Sequence, residues 1–249
     1  MAFWTLYKRE MRSIFVSPVA YVVLVGCALA VSAGFVAVLA AMTENNVKGY
    51  SIVAAMLGSF IFWIPFMIQI PFISMRTFSE EYKMGTIEML LTAPVREWEV
   101  VLSKFAAIVS LFVLLWVPLA LDIVYIYAFS NQKFDLTWGM ALLPFGLVIL
   151  LGMFFISICL LASSLTKNQV IAAILGFAFI FLVFCLNFLT YFDHSGGTRD
   201  LAAYVGCLGH MDTACRGILD TRPVVFYLSG TIFFLFLTQR VLESRRLRA

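Results

Sequence analysis

Charged residues are scarce in this sequence. Only 12% of its 249 residues are charged, whereas 63% are hydrophobic and the mean hydropathy is +0.99. A soluble globular domain typically has about half of its residues apolar and about a quarter charged. The shortage of charge excludes an ordinary soluble domain, and we interpret the chain as an integral membrane protein.

Several functional signatures are also missing. The net charge of +3 is too small to indicate nucleic-acid binding. No G-x-x-x-x-G-K-[ST] phosphate-binding motif occurs, so the chain alone is not expected to hydrolyse ATP. His194 and His210 are the two histidines; they have no nucleophile–base partner and no close cysteine pairing. We therefore predict neither catalytic residues nor a metal site.

Long apolar runs are abundant. A helix needs about 20 apolar residues to cross roughly 30 Å of hydrocarbon. The runs of this length are residues 18–42, 51–75, 104–128, 139–164, 169–192 and 224–242. We predict one all-α polytopic membrane domain over residues 1–249, with six transmembrane helices.

Lys and Arg are unevenly distributed between the two sides of these spans. Of the 17 Lys and Arg residues, 12 fall on the side that would carry both termini and the connection 76–103. Cytoplasmic flanks are enriched in these residues. We therefore expect both termini and this connection to be cytoplasmic.

Residues 1–17, before the first span, have an amphipathic pattern. Apolar residues recur at steps of three and four, and basic residues fall on the remaining surface. The residues that define the two faces include Trp4, Tyr7, Lys8, Arg9 and Arg12. This pattern is typical of a helix in the membrane interface, although a basic flank that only orients the first span is the alternative.

Residues 76–103, between spans two and three, form an island of charge. Thr77 and Glu80 have the spacing of a capping box, and Gly85 is expected to bend the helix that follows. Thr86 can then cap a second short helix. A connection built of helical pieces predicts a docking surface, whereas the alternative is a solvated loop.

Two stretches resemble a known family. RTFSEEYKMGTIEMLLTAPVREWEVVLSKF is similar to the connection between the second and third spans of type-two ABC transporter permeases. The positions that carry this similarity are Glu80, Glu81, Gly85, Thr86, Glu88, Leu90, Leu91, Pro94 and Lys104. The C-terminal stretch GILDTRPVVFYLSGTIFFLFLTQRVLESRRLR resembles the gliding-motility-associated branch of that family.

The resemblance implies a permease subunit of a bacterial cytoplasmic membrane, not itself an enzyme, driven by a separate cytoplasmic ABC ATPase. ATP and Mg would be bound by that partner. The island would be the coupling helix, with residues 1–17 as the connecting helix. The docking residues implied are Glu80, Glu81, Lys83, Gly85, Thr86 and Glu88. Because six spans fall short of a complete pathway in this family, a second permease copy or a paralogue is implied.

Two functions remain open within this resemblance. The subunit either exports a cargo, which the 25 phenylalanines would suit if it is lipid-like or amphipathic, or transmits force to an envelope partner with an extracytoplasmic domain. The phenylalanines are equally explained by helix packing. A channel or an intramembrane enzyme is a third class, but neither the charged cytoplasmic island nor the lack of clustered ionisable residues favours it.

Polar residues inside the spans are candidates for a transport pathway. They are Gln69, Asp122 and Asn187. An intramembrane carboxylate is a functional candidate by default, yet Asp122 is near enough to a span end for interfacial water to reach it. Hydrogen bonds between helices explain the two amides equally well.

The connection 193–223 is long enough to have structure of its own. The resemblance implies short helices that re-enter the outer leaflet; a surface lid without a transport role is the alternative. Cys207 and Cys215 are candidates for a disulfide if the compartment is oxidising, and the sequence leaves open whether they are bonded.

Overall fold

The computed structural model describes residues 2–44, 52–87, 95–129, 138–192 and 204–246. Every regular element in these ranges is an α-helix. The helices are α1 Ala2–Val16, α2 Pro18–Glu44, α3 Ile52–Leu57, α4 Phe60–Ser74, α5 Arg76–Met84, α6 Glu97–Leu115, α7 Val117–Phe129, α8 Trp138–Leu165, α9 Gln169–Phe192, α10 Cys207–Cys215 and α11 Thr221–Arg246.

Six segments of the described chain are long and apolar enough to cross a membrane, which confirms the predicted all-α fold with six spans. They are Ala20–Glu44, Phe60–Met84, Glu97–Tyr125, Leu142–Leu165, Gln169–Asn187 and Thr221–Arg245.

Helix α1 and the C-terminal end of α11 are at the same end of the bundle. Arg9 in α1 contacts Glu81 in α5, and Arg245 near the end of α11 contacts Tyr82 in α5. We call this the terminal end and the opposite one the far end. An even number of crossings requires this arrangement.

Span two differs from its predicted limits of 51–75. The chain forms the short helix α3 first and then breaks at Gly58 and Ser59, where Ser59 adopts an extended backbone (φ −89°, ψ 144°). The long helix starts at Phe60 and does not stop at residue 75, because Met75 is helical (φ −57°, ψ −31°) and donates its N–H to the Pro71 carbonyl. Helices α4 and α5 therefore form one nearly continuous rod. Span three likewise begins at Glu97, seven residues before its predicted start at 104.

Span four is the centre of the bundle. In its most apolar stretch 67% of the residues are buried, compared with 17% in span six. Helix α8 packs against α4, α5, α6, α9, α10 and α11. Gly152 allows the closest approach to α6, since a Cβ atom there would lie 2.2 Å from Cε1 of Phe112. The elements at both ends of the molecule are thus positioned by one central helix.

Aromatic rings fill the space between spans two, three and four. Phe62, Phe66, Phe112 and Phe155 are at most 1% exposed. The centroid of the Phe66 ring lies 5.5 Å from that of Phe62 and 6.0 Å from those of both Phe112 and Phe155. Aromatic pairs at such distances stabilise a core beyond the burial of their area. These four phenylalanines therefore serve packing.

Candidate functional site

Four charged side chains meet at the terminal end, where α1, α5 and the start of α6 come together. We call them the junction cluster: Arg9, Glu10, Glu81 and Lys104. Only 2% of the Lys104 side chain is exposed. Its Nζ atom lies 3.0 Å from Glu10 Oε1 and 2.9 Å from Glu81 Oε1, and it donates to the Thr77 carbonyl at 3.1 Å. All three donors of the ammonium group are used.

Arg9 closes the cluster on the solvent side. Its side chain is 54% exposed, and its Nη2 atom lies 2.9 Å from Glu10 and 3.3 Å from Glu81. The two carboxylates are largely covered, with 16% and 17% of their side chains exposed. Two cations thus neutralise two carboxylates where little water is present and an unpaired charge would be costly.

The environment of Glu10 keeps its carboxylate ionised. Burial alone would raise the pKa of this group, but the charges and hydrogen bonds of Lys104 and Arg9 outweigh burial and lower the pKa below 4.5. Glu10 therefore carries its negative charge at neutral pH. The cluster connects α1, α5 and span three through charge-assisted hydrogen bonds, which are stronger than neutral ones.

The local sequence of α5 explains how its part of the cluster forms. Thr77 and Glu81 are four residues apart, so the Thr77 carbonyl and the Glu81 carboxylate lie on one face of the helix. Phe78 is fully buried, and its ring centroid is 5.3 Å from the Lys104 Nζ atom. The aromatic face adds a favourable contact to the buried cation.

A hydroxyl group from α8 holds the start of α5. Ser163 is fully buried, and its Oγ atom accepts the backbone N–H groups of Phe78 at 3.1 Å and Ser79 at 3.2 Å. The same hydroxyl donates to the Met75 carbonyl at 3.1 Å. This serine therefore fixes the backbone where α4 passes into α5.

The end of α11 holds the other side of α5. The Arg245 guanidinium lies 4.4 Å from the centroid of the Tyr82 ring. It also donates to the Leu165 carbonyl at the C-terminus of α8, at 3.1 Å. A cation is favourable both over an aromatic face and at a helix C-terminus. Three elements, α1, α8 and α11, thus support α5.

The predicted docking residues divide into an inner and an outer group. Glu81 points into the junction cluster, whereas Glu80 is half-buried and Lys83 and Thr86 are exposed. Gly85 ends α5 with a left-handed backbone (φ 72°) and confirms the predicted bend. Residues 88–94, which include Glu88, Leu90, Leu91 and Pro94, lie outside the described residues. The second short helix predicted after Thr86 falls mostly within this range.

The predicted capping box at Thr77 is wrong. A capping box requires a helix start, but α5 follows α4 with only Met75 between them. The Thr77 hydroxyl instead donates to the Ser74 carbonyl at 2.7 Å, as a threonine inside a helix does.

The N-terminal helix predicted from residues 1–17 is present as α1, and it packs along α6. The Tyr7 hydroxyl is 2.9 Å from the Ser110 Oγ atom. Trp4 is 56% exposed and stacks on Tyr7, and the Lys8 Nζ atom lies 5.3 Å from the Trp4 ring centroid. Arg12 is exposed. One face of α1 thus contacts span three, while Trp4 and Arg12 are exposed in the part of the chain that the structure describes.

The candidate pathway residues lie in three different spans. Gln69 is 2% exposed within span two. Asp122 accepts a hydrogen bond from Ser32 of span one at 2.9 Å, so this carboxylate connects two helices. Asn187 accepts the Leu208 N–H at 3.0 Å and thereby anchors α10. These partners favour the alternative that Asp122 and Asn187 serve contacts between helices.

The predicted disulfide between Cys207 and Cys215 is not formed, and both thiols are free. The two residues are at opposite ends of α10, about 12 Å apart along its axis. A disulfide requires Cα atoms within about 7 Å of each other. Burial raises the pKa of the Cys207 thiol to about 11 and that of Cys215 to about 12, so both are protonated and unreactive.

Sequence reasoning missed three residues of the site. Glu10 had a signal, because it is the single acidic residue of α1 and is surrounded by basic ones. Ser163 and Arg245 carried no such signal, since serines are common in membrane helices and basic residues are common at their cytoplasmic ends.

Comparison with known proteins identifies a family that the chain matches. The sequence model of a family described as "ABC-2 family transporter protein" matches residues 5–195, which include most of α1, the junction cluster and five of the six spans. No curated protein matches the chain.

Proposed function

The chain belongs to the ABC-2 transporter family, and we propose that it is the permease subunit of an ATP-driven exporter in a bacterial inner membrane. Members of this family are membrane subunits that are not themselves catalytic. A separate cytoplasmic ATPase would bind ATP and Mg, and a second permease copy or a paralogue would complete the pathway. The terminal end then faces the cytoplasm, as the distribution of Lys and Arg favours.

The outer side of α5 is the surface that we assign to ATPase docking. It carries the half-buried Glu80 and the exposed Lys83, and the exposed Gly85 and Thr86 follow directly after the helix. Met84, at the tip of the helix, is 69% exposed. Methionine is enriched in protein interfaces. Three other elements support this helix, and its exposed methionine has charged neighbours. Such a surface suits a partner subunit that binds to the helix and displaces it.

The burial of Lys104 is the observation that carries the proposal. A conformational change in one subunit affects another only through contacts that differ between the two states. Displacing α5 without span three would separate Lys104 from Glu81 and leave buried charge unpaired, which is costly. The junction cluster therefore favours joint movement of α5, α1 and span three.

Co-purification with the ATPase tests the docking surface. Glu80→Lys reverses a charge on the outer side of α5 and should abolish recovery of the ATPase while the permease remains in the membrane. Arg216→Glu is the matched control, since it also reverses an exposed charge but lies at the far end. Full recovery of the ATPase with Glu80→Lys would contradict the docking role.

A mechanical role is the second candidate. The similarity of residues 217–248 to the gliding-motility-associated branch favours it, and this stretch lies beyond the residues that the family model matches. Extraction in mild detergent separates the two functions. Recovery of the ATPase alone would support an exporter, whereas recovery of an additional tethered envelope protein would support force transmission.

A further inference from the structure

The far end contains a cavity that the coupling mechanism does not use. It lies between the start of α8, helix α10 and the start of α11, and its volume is about 180 Å³. From Gly146 in this cavity to Ser163 at the terminal end, α8 rises by about 26 Å. Cavities of about 150 Å³ with apolar walls bind molecules of the size of benzene. This cavity therefore has room for a short segment of a hydrocarbon chain.

The walls of the cavity are almost entirely apolar. The residues that line them include Leu143, Leu147, Leu150, Ala214, Pro223 and Val224. A Cβ atom added to Gly146 would meet no other atom within 4 Å, which confirms open space beside α8. Walls of this kind suit a hydrocarbon chain.

The mouth of the cavity is apolar too. Leu142, Ile218 and Leu219 line it, and they are 65%, 57% and 68% exposed. Leu142 is the first residue of span four, and Ile218 and Leu219 lie just before span six begins at Thr221. An opening with leucine and isoleucine at the ends of two spans faces the edge of the hydrocarbon layer, where lipid is the available occupant.

Polar groups are gathered on one side of the cavity. His210, Thr213 and Asp220 line that side. The His210 Nδ1 atom is 2.9 Å from the Tyr227 hydroxyl, which fixes the ring, and the Asp220 carboxylate accepts the Arg222 N–H at 2.9 Å. Burial lowers the pKa of His210 more than Asp220 raises it, so the imidazole is neutral at neutral pH.

Among the described residues, the charges near this polar side balance. Asp212 pairs with Arg216 at 2.7 Å, and Asp220 precedes Arg222 by two residues. A headgroup with no net charge suits such a balance better than an anionic one. We propose that the cavity binds one acyl chain of a zwitterionic membrane lipid, whose headgroup lies beside His210 and Asp220. This site goes beyond the proposed function, because its occupancy requires neither ATP nor the ATPase.

Photolabelling in lipid nanodiscs tests the site. The permease is reconstituted in phosphatidylethanolamine that carries a diazirine in one acyl chain, and labelled peptides are mapped by mass spectrometry. We expect the peptides of residues 142–150 and 218–224 to be labelled more than the lipid-facing surface of α9, where Ile174 and Phe181 are 61% and 50% exposed. Equal labelling of all these surfaces would show ordinary surrounding lipid and overturn the proposal.

Two matched variants test whether the labelling comes from lipid bound in the cavity. Gly146→Phe fills the open space and should reduce labelling of the cavity peptides to the level of α9. Gly26→Phe makes the same change in span one, where an added Cβ atom also meets nothing within 4 Å, and should leave labelling unchanged. If Gly146→Phe does not reach the membrane, Gly146→Leu provides a milder filling. Undiminished labelling in a correctly inserted filling variant would overturn the proposal.

Competition tests the headgroup. Unlabelled phosphatidylethanolamine should suppress labelling of the cavity peptides more strongly than unlabelled phosphatidylglycerol, which is anionic. Equal suppression would contradict the zwitterionic assignment. Neither arm contains ATPase or ATP, so failure here would leave the proposed coupling role intact.

Discussion

Lysine is almost never fully buried unless it is paired, and Lys104 satisfies that condition with two carboxylates. The arrangement differs from an ion pair on the surface, which contributes little because water competes for both charges. Here the ammonium group cannot turn to water without moving a helix. The pairing of Lys104 therefore constrains the positions of the helices that supply its partners.

Lys104→Met should lower the free energy of unfolding by about 3 kcal/mol, since it leaves two covered carboxylates close together. Arg9→Gln is the matched comparison. It removes the exposed cation of the same cluster and should cost less than about 1 kcal/mol. Tryptophan fluorescence during denaturation in detergent measures the free energy of unfolding of both variants. Equal losses would show that Lys104 behaves like a surface residue.

The stability of the chain should also depend on pH through Glu10. The folded pKa of this group is below its ordinary value of 4.5, so its contribution is fully present above pH 4.5 and disappears as the pH falls below that value. Glu10→Gln lacks this contribution at every pH. The difference in unfolding midpoint between the natural chain and the variant should therefore narrow below pH 4.5, and a difference that stays constant would argue against the ion pair.

At the scale of the helix, the sequence predicts where chain segments are helical better than where they begin. Thr77 and Glu80 satisfy the spacing of a capping box, but Ser163 of a distant helix already satisfies the amide groups of Phe78 and Ser79. A tertiary contact of this kind is invisible to local pattern. The bend at Gly85 was predictable because only the local backbone decides the conformation of this residue.

Gly85 gives a test of the end of α5. Gly85→Val introduces a branched side chain at φ 72°, where L-residues are strained by roughly 1–2 kcal/mol. Gly85→Asn is the control, because asparagine tolerates this conformation. We expect the valine variant to recover less ATPase than the asparagine variant in co-purification. A similar loss of recovered ATPase in both variants would indicate that binding depends on the size of the side chain at this position and not on the backbone conformation.

At the scale of the whole molecule, hydropathy was sufficient for the fold class and the number of spans. Each span needs only its own apolar residues, which the sequence displays directly. The neighbours of each span were not predictable, because lipid-facing and protein-facing leucines look alike. The central position of α8 depends on close approaches such as that of Gly152 to Phe112, which only the three-dimensional structure reveals.

The orientation of the molecule can be tested with two introduced cysteines. Lys83→Cys lies at the terminal end and Arg216→Cys at the far end, and both positions are exposed. A membrane-impermeant maleimide should label the second in intact cells and the first only in opened cells, after subtraction of the signal from the unchanged chain. Labelling of Lys83→Cys in intact cells would invert the proposed topology.

The nearly continuous passage of α4 into α5 has a mechanical consequence. Ser163 holds the rod close to the point where nine residues of α5 extend to one side and 15 residues of α4 to the other. These arms are about 13 Å and about 22 Å long. If Ser163 is the fulcrum of a lever, a small sideways step of Met84 swings Phe60 in the opposite direction by roughly 1.7 times as much. A small displacement of α5 at one surface of the membrane would then produce a larger displacement of α4 at the other.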